Sequence, residues 1–306
     1  MTKIVKKLGW VKDYPDIRDY HPETTRKIKQ GKVQSHLSIA EILQGIGILE
    51  RGKKALPEQV DNRKWCSPIK DQGGIGSCTA FAAIGMYEYF QIKVFDEYID
   101  GSELFLYKAT RNMLGWGDVD SGAYMRTAMG ALVLFGVPPA KNYPYETDKY
   151  TWEPPAFVYS YAQNFQTLEY YRLDPLGTSG RKALKNIKSH VAAGIPVMMG
   201  FTCYTSLGYN ETRETGKIPF PNSEKESVIG GHAVMIAGYD DDMVIRNPID
   251  GSEQQGALII RNSWGEDWGD KGYGYIPYEY VKRQLAGDFW CLISAEWVNT
   301  DKFLAG

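Results

Sequence analysis

The alternation of hydrophobic and polar positions divides the chain into a helical part followed by a strand-rich part. Apolar residues recur at helical spacing in residues 78–94, in the segment that begins at Ser102, in residues 121–136 and in "GRKALKNIKSHVAAG". After about residue 195 the apolar runs are short and broken by glycine, as is typical of strands: "PVMMGFTCY", "HAVMIAGY", "ALIIRNSW", "YGYI" and "WCLISAEWV". Helices segregated from strands indicate an α+β fold of two packed subdomains.

Residues 1–55, called the head below, follow a different pattern. They begin polar and charged, and residues 13–32 predict turns and extended chain. A helix is predicted next in "SHLSIAEILQGIGILERG", where Ser38 and Glu41 form a capping-box pattern. Because a helix of this length is unstable alone, we expect it to dock on the rest of the chain.

The length and composition fit a globular protein. The chain has 306 residues, of which 43% are hydrophobic and 24% charged, enough for one large domain or two modest ones. We expect the head to be an N-terminal extension, residues 56–157 to form a mainly helical domain, and residues 158–306 to form a β-rich domain.

Charge is distributed unevenly, although the formal net charge is only −2. That net charge gives no general attraction to nucleic acid or to an anionic membrane, so we expect neither as a partner. The head carries 12 Lys and Arg residues against 6 Asp and Glu, whereas the remainder carries 23 against 31. We therefore expect the head and the body to attract each other.

The sequence predicts no targeting or membrane-spanning segment. The early lysines are not followed by an apolar stretch with a small-residue cleavage site. The longest apolar runs, such as residues 130–137, are far shorter than the roughly 18 residues that cross a bilayer. We expect a protein that is cytoplasmic, or exported without a recognisable signal peptide.

The cysteines are widely separated in the chain: Cys66, Cys78, Cys203 and Cys291. They show no zinc-binding spacing and are too few for a disulfide framework, which makes a reducing compartment the default. Three successive acids at 240–242 lack the alternating spacing of a calcium loop and predict a solvated turn within a charged hairpin at 240–256. We expect no metal site and no cofactor.

Cys78 lies where a glycine-rich turn, residues 73–77, meets a predicted helix. At a helix N-terminus the free backbone N–H groups and the helix dipole favour an anion, so a thiol there should have a lowered pKa. A small buried side chain is the ordinary alternative for a single cysteine. The glycines before Ser77 favour a function, because they are costly unless something approaches the backbone closely.

Four further residues complete a catalytic set with Cys78. Gln72 and the Cys78 N–H could donate to one oxygen, as an oxyanion hole does. His232 opens an apolar strand after two glycines, and the Asn262 side-chain oxygen could hold its ring while Trp264 excludes water. Alone, Gln72, His232 and Asn262 would be a loop residue, a core histidine and a turn residue. Together they suggest the thiol version of nucleophile, base and orienting group.

With these residues the chain resembles the papain-like cysteine peptidases. The matching segments occur in the family's order: "LPEQVDNRKWCSPIKDQGGIGSCTAFA", "SGAYMRTAMGALVLFGV", "YPYE", "GGHAVMIAGYD" and "RNSWGEDWGDKGYGYIP". The resemblance covers nearly all of residues 56–300. It implies a helical left domain and a β-barrel-like right domain with the active-site cleft between them. It also implies hydrolysis of peptide bonds through a thiolate–imidazolium pair and an acyl-enzyme.

The resemblance assigns roles to individual residues. Cys78 is the expected nucleophile, His232 the acid and base, Asn262 the orienting group and Gln72 the oxyanion donor. Substrate-binding roles fall on Ser121, Gly122, Gly231, Ala233, Trp264 and Trp268. Gly122 matches the glycine whose backbone pairs with extended substrate. The lack of charge beside His232 favours an apolar side chain before the scissile bond.

The chain departs from the family pattern in three respects. Thr79 follows the nucleophile where the family usually has Trp, and Ile75 stands where many members have a disulfide cysteine. His232 and Asn262 lie 154 and 184 residues after Cys78, beyond the family's usual range of about 130 to 150. We therefore expect a member without the usual disulfides.

Two interpretations of the head stay open. "LPEQVDNR" matches the usual start of the mature enzyme, so the head either contacts the cleft and keeps the enzyme latent, or forms a permanent structural arm. For the site, hydrolysis of a peptide or protein substrate is the first hypothesis. Acyl transfer to an amine or thiol would use the same acyl-enzyme, and a non-catalytic peptide-binding homologue is the third hypothesis.

Overall fold

The computed structural model describes residues 6–22, 25–30, 33–38, 41, 43, 44, 55–165 and 169–293. No helix in this part is long and apolar enough to span a membrane. The helix predicted around Glu41 lies mostly outside it, but residues 41, 43 and 44 are helical. Leu43 is buried in the hydrophobic core, so this piece of the head packs on the rest of the chain. Strands β1 (Thr25–Gln30) and β2 (Val33–Ser38) form an antiparallel hairpin before it.

One helix, buried on all sides, organises the helical part. The helices are α1 (Cys78–Phe90), α2 (Glu103–Met113), α3 (Met125–Phe135) and α4 (Ala156–Ala162). All 13 residues of α1 are buried, as expected of a helix that carries apolar residues all round. It packs against α2 and α3 on one side and against the strands of the sheet on the other. Its first residue therefore lies between the helical part and the sheet.

Helix α3 begins at Met125, four residues after the predicted start at Ser121. Gly122 has a left-handed backbone with φ of +75°, and Ala123 bonds to the head through both its N–H and its C=O. A segment held in this extended pairing cannot be helical, so the apolar pattern placed the N-terminus too early. Helix α4 spans the boundary expected between residues 157 and 158, and the domain division stays a prediction.

The strand-rich part is one antiparallel sheet. Its strands are β3 (Gln59–Asp61), β4 (Glu169–Arg172), β5 (Val197–Tyr204), β6 (Val228–Arg246), β7 (Glu253–Arg261), β8 (Tyr273–Pro277) and β9 (Ala286–Ile293). Their order is β4–β9–β5–β6–β7–β8, and β3 pairs with β6. Helices α5 (Gly180–Ala192), α6 (Asn210–Thr215) and α7 (Tyr278–Lys282) complete this part. The α+β class is confirmed, and the barrel-like domain takes the form of an unclosed sheet.

Pairing of β6 with β7 brings the two predicted site residues of the sheet together. Met235 lies opposite Arg261 in the antiparallel register. His232 is therefore three residues before that pair on one strand, and Asn262 directly follows it on the other. The same two strands continue beyond the sheet and form the charged hairpin predicted at 240–256.

Candidate active site

Cys78 is the first residue of α1 and is fully buried. The turn before it requires glycine at Gly73, where φ is +64°. Four backbone N–H groups act on its Sγ: those of Cys78, Thr79, Ala233 and Gly9. Because Ala233 directly follows His232, the structure brings the predicted nucleophile and the predicted base to the same contact between α1 and β6.

Burial decides the charge of Cys78. Loss of water raises the pKa of its thiol to about 11, although the surrounding backbone N–H groups act in the opposite direction. The expectation of a lowered pKa is therefore wrong for this state. The helix N-terminus does favour the thiolate, but the sulfur has no access to solvent, and the cost of desolvating the charge is larger.

His232 is held by the predicted orienting residue. Its Nε2 lies 2.8 Å from Asn262 Oδ1, and that oxygen also accepts the backbone N–H of Ser263 at 2.8 Å. An oxygen that accepts both bonds leaves the proton on Nε2 and the lone pair on Nδ1. Trp264 stacks on the imidazole with ring centroids 4.5 Å apart. The Asn262 contact therefore fixes both the tautomer and the plane of the ring.

The imidazole is as buried as the thiol, and burial lowers the pKa of His232 to about 4. Within the described residues, its Nδ1 has no hydrogen-bond partner. The thiol and the imidazole are thus both neutral in this state. Nδ1, with its free lone pair, is the basic atom that the imidazole offers.

Gln72 is buried, and both polar atoms of its side chain form hydrogen bonds. Its Oε1 accepts the Ser263 hydroxyl at 2.7 Å. Its Nε2 donates to the carbonyl of Ile75 at 2.9 Å and to the carbonyl of Lys7 at 3.0 Å. The predicted oxyanion donor therefore already binds two peptide carbonyls, and that of Lys7 belongs to the head.

Residues 6–11 of the head, called the cleft segment below, lie between the helical part and the sheet. Ala123 donates its N–H to Gly9 O at 2.9 Å and accepts from Val11 N–H at 3.1 Å. On the opposite wall, Trp10 donates its N–H to Gly231 O at 3.0 Å. The backbone of Gly9 packs directly on that of Gly76, with no room for a side chain at position 9.

The predicted substrate-binding residues surround this segment unevenly. Gly122 donates its N–H to the Tyr107 hydroxyl at 3.1 Å, so backbone pairing with the cleft segment falls on Ala123. Gly231 contacts Trp10, and Ala233 contacts the thiol. Backbone pairing carries no side-chain signature, which is why the sequence did not single out Ala123.

The other members of the predicted set lie behind or beside the cleft segment. Ser121 donates its hydroxyl to Gly122 O at 2.9 Å. Trp268 packs edge-on against Trp264, with ring centroids 5.2 Å apart. Trp268 therefore supports the shield over His232 and Asn262.

Ion pairs anchor the head to the body, and the head contributes the cation to some of them and the anion to others. Lys6 pairs with Asp71, and Lys7 pairs with Asp120 at 2.8 Å, as the basic head and acidic body predict. Further along, the sense reverses, because Arg126 on α3 pairs with two head acids. It binds Asp13 at 2.9 Å and Asp19 at 2.8 Å. Net charge alone did not predict this second set.

Three carboxylates in the described part of the chain come close enough to share a cation: Glu88, Asp100 and Glu103. The ammonium of Lys70 lies among them, 2.5 to 2.7 Å from an oxygen of each. A lysine therefore supplies the positive charge there.

All four cysteines are free.

The sequence of this chain is similar to those of known cysteine proteases. Residues 56–289 match the model of the papain family of cysteine proteases. An uncharacterized peptidase C1-like protein of Acanthamoeba polyphaga mimivirus is 32% identical over 295 residues, covering 95% of this chain and 88% of that protein. Mouse cathepsin K is 29% identical over 226 residues, and the match spans only 60% of its length.

Solved structures show the same similarity. Xylellain, a cysteine protease from Xylella fastidiosa, superposes with a TM-score of 0.71 at 30% identity, over 94% of this chain and 96% of its own. Digestive procathepsin L 3 from the Tenebrio molitor larval midgut superposes with a TM-score of 0.58 at 23% identity, over 84% of this chain and 79% of its own. The second likeness is one of fold alone.

Proposed function

Because the chain belongs to the papain family of cysteine proteases, we propose a catalytic or binding role for each of its site residues. Its function is that of a cysteine peptidase, a hydrolase of peptide bonds. The roles of its own side chains and of its head are inferred from the contacts described above.

In the proposed reaction Cys78 Sγ attacks the carbonyl carbon of a peptide bond while Nδ1 of His232 takes the thiol proton. The imidazolium returns that proton to the departing amine as the C–N bond breaks, which leaves a thioester. Water then attacks the thioester, with His232 again as base. The C–S bond breaks to release the carboxylic acid, and His232 returns the proton to the Cys78 sulfur. The Gln72 amide and the Cys78 N–H donate to the oxyanion in both steps.

One observation carries this assignment: the 2.8 Å contact of His232 Nε2 with Asn262 Oδ1, beneath the indole of Trp264. It leaves Nδ1 unprotonated, as a general base must be, and the backbone N–H of the next residue, Ala233, acts on the Cys78 sulfur. The test is covalent labelling with a peptidyl epoxide followed by peptide mapping. Label on Cys78, lost in Cys78→Ser, supports the assignment, and label on any other residue contradicts it.

We also propose that the head keeps the peptidase latent. The Gly9 amide faces the Cys78 sulfur, Lys7 O occupies the Gln72 donor, and Ala123 pairs with residues 9 and 11. A substrate needs these same groups. The thiol faces a backbone N–H group of the head, which it cannot attack, so the seated head blocks the site.

The full-length variant Gly9→Val tests latency, because a side chain at position 9 would overlap the Gly76 backbone. Losing the three backbone hydrogen bonds of residues 9–11, at about 0.5–1.5 kcal/mol each, should raise peptide hydrolysis roughly ten- to a thousandfold. Gly208→Val is the matched control, since nothing lies within 4 Å of a side chain there. Equal hydrolysis by the parent chain and Gly9→Val, with both folded, would instead favour the structural-arm interpretation.

A further inference from the structure

The side chain of Trp10 fills a pocket in the wall of the cleft and is only 8% exposed. Two glycines line this pocket, Gly200 on β5 and Gly231 on β6. A β-carbon at Gly200 would collide with the indole, and one at Gly231 would lie 2.6 Å from it. The pocket therefore has the width of a flat aromatic ring. It opens beside Gly231, whose carbonyl accepts the backbone N–H of Trp10.

A carboxylate forms the floor of the pocket. Asp288 on β9 is 1% exposed, and its Oδ2 accepts the indole N–H of Trp10 at 3.1 Å. Its other oxygen accepts the indole N–H of Trp290 at 2.7 Å. Oδ2 is therefore the atom that the floor presents to whatever enters the pocket.

Arg172 lies beneath Asp288 and is shared with two other carboxylates. It lies 3.1 Å from Asp288 Oδ1, 2.9 Å from Asp174 and 3.6 Å from Asp19, and its side chain is 1% exposed. Oδ2 of Asp288 faces the pocket and needs a donor there. An indole N–H supplies that donor on a ring that fits the pocket, whereas a phenyl ring leaves Oδ2 without a partner.

We propose that Asp288 determines substrate specificity: the pocket that Trp10 fills selects substrates with a large aromatic side chain that donates an N–H, tryptophan above all. This inference rests on the proposed function, because it requires substrate to replace the cleft segment. Trp10 then acts as an internal occupant of a substrate pocket. The apolar preference expected from the residues beside His232 becomes a preference for an aromatic donor, because Asp288 comes from a distant strand.

Hydrolysis of matched peptides tests the proposal in the full-length Gly9→Val chain. The peptides are identical except that one tryptophan is replaced by 3-benzothienylalanine, which keeps the bicyclic shape and puts sulfur in place of the N–H. An unpaired buried acceptor costs about 1–3 kcal/mol, so kcat/KM should be roughly five- to 150-fold higher for tryptophan. Equal values for the two peptides would overturn the proposal while leaving the peptidase function intact.

A second measurement does not depend on turnover. In the full-length chain, iodoacetamide labelling of Cys78 reports how often the head leaves the cleft. Trp10→Phe should speed labelling at least fivefold when Asp288 is present, and by less than twofold in an Asp288→Ala background. The same acceleration in both backgrounds would show that Trp10 and Asp288 do not recognise each other, and would refute the specificity assignment even if no peptide were hydrolysed.

Discussion

At the level of single residues, the thiol of Cys78 and the imidazole of His232 are neutral for the same reason, burial. An ion pair between them would have to form without water around either group. The backbone N–H groups that face the sulfur favour the thiolate once solvent can enter. If the head keeps the enzyme latent as proposed, seating of the cleft segment controls both access to the Cys78 thiol and its charge.

Alkylation of Cys78 by iodoacetamide, read by peptide mapping, should show this control. Thiolate is the reactive form, and a pKa raised to about 11 leaves little of it at pH 7. In the full-length chain the rate should rise continuously from pH 7 towards pH 11. In Gly9→Val it should level off at lower pH. Superimposable pH profiles for the two chains would contradict the coupling between head and thiol.

Gln72 should matter for turnover and not for thiol reactivity. In the Gly9→Val chain, Gln72→Ala should lower kcat roughly ten- to a thousandfold, because one oxyanion donor is lost. Alkylation of Cys78 needs no oxyanion and serves as the control. If alkylation fell in proportion to kcat, the side chain would have a structural role, since Gln72 also bonds Ser263 and Ile75.

At the level of elements, α3 is an anchor for the head. Arg126 on its first turn binds Asp13 and Asp19 and donates to the Tyr14 carbonyl at 2.8 Å. These contacts lie beyond the cleft segment. They tether the chain that follows it, so the head is held both in the cleft segment and beyond it.

Arg126→Ala should therefore loosen the head less than Gly9→Val does. Partly exposed ion pairs are worth up to about 1 kcal/mol, and two of them are lost, which predicts a rise in peptide hydrolysis of roughly two- to tenfold. Arg181→Ala, an exposed arginine on α5, is the control for charge. An unchanged rate in Arg126→Ala would show that the contacts of the cleft segment seat the head without this anchor.

Elements with a strong apolar pattern could be predicted from the sequence, and elements set by long-range pairing could not. Helix α1 and strand β5 follow mainly apolar runs close to the expected positions. The start of α3 was misplaced because Ala123 is paired with the head and Gly122 has a left-handed backbone. The four site residues that the family motif predicted lie together, whereas Asp288 and Ala123 act through contacts that no local pattern records.

At the level of the whole molecule, opposite net charges attract the head to the body, but the contacts that hold it are mixed. Lysines of the head pair with acids of the body, and acids of the head pair with an arginine of the body. The indole of Trp10 and the backbone bonds of the cleft segment are buried and carry no net charge. Salt screens exposed charges far more than buried contacts.

Raising the salt concentration should therefore activate the parent chain only slightly. Between about 0.05 and 0.5 M NaCl the Debye length falls roughly threefold, and we expect hydrolysis to rise by less than about fivefold. The initial rate of hydrolysis is measured as a function of NaCl concentration. The Gly9→Val chain is measured in parallel and corrects for any direct effect of salt on turnover. Activation by salt to the level of Gly9→Val would mean that net charge, and not pairing in the cleft, holds the head.

The most direct measurement is peptide hydrolysis by three folded full-length chains: the parent, Gly9→Val, and Gly9→Val with Cys78→Ala. We expect low activity for the parent, at least tenfold more for Gly9→Val, and a loss of several orders of magnitude when Cys78 is also replaced. Turnover that survives in the double variant would contradict the assignment of Cys78 as the nucleophile beneath the head.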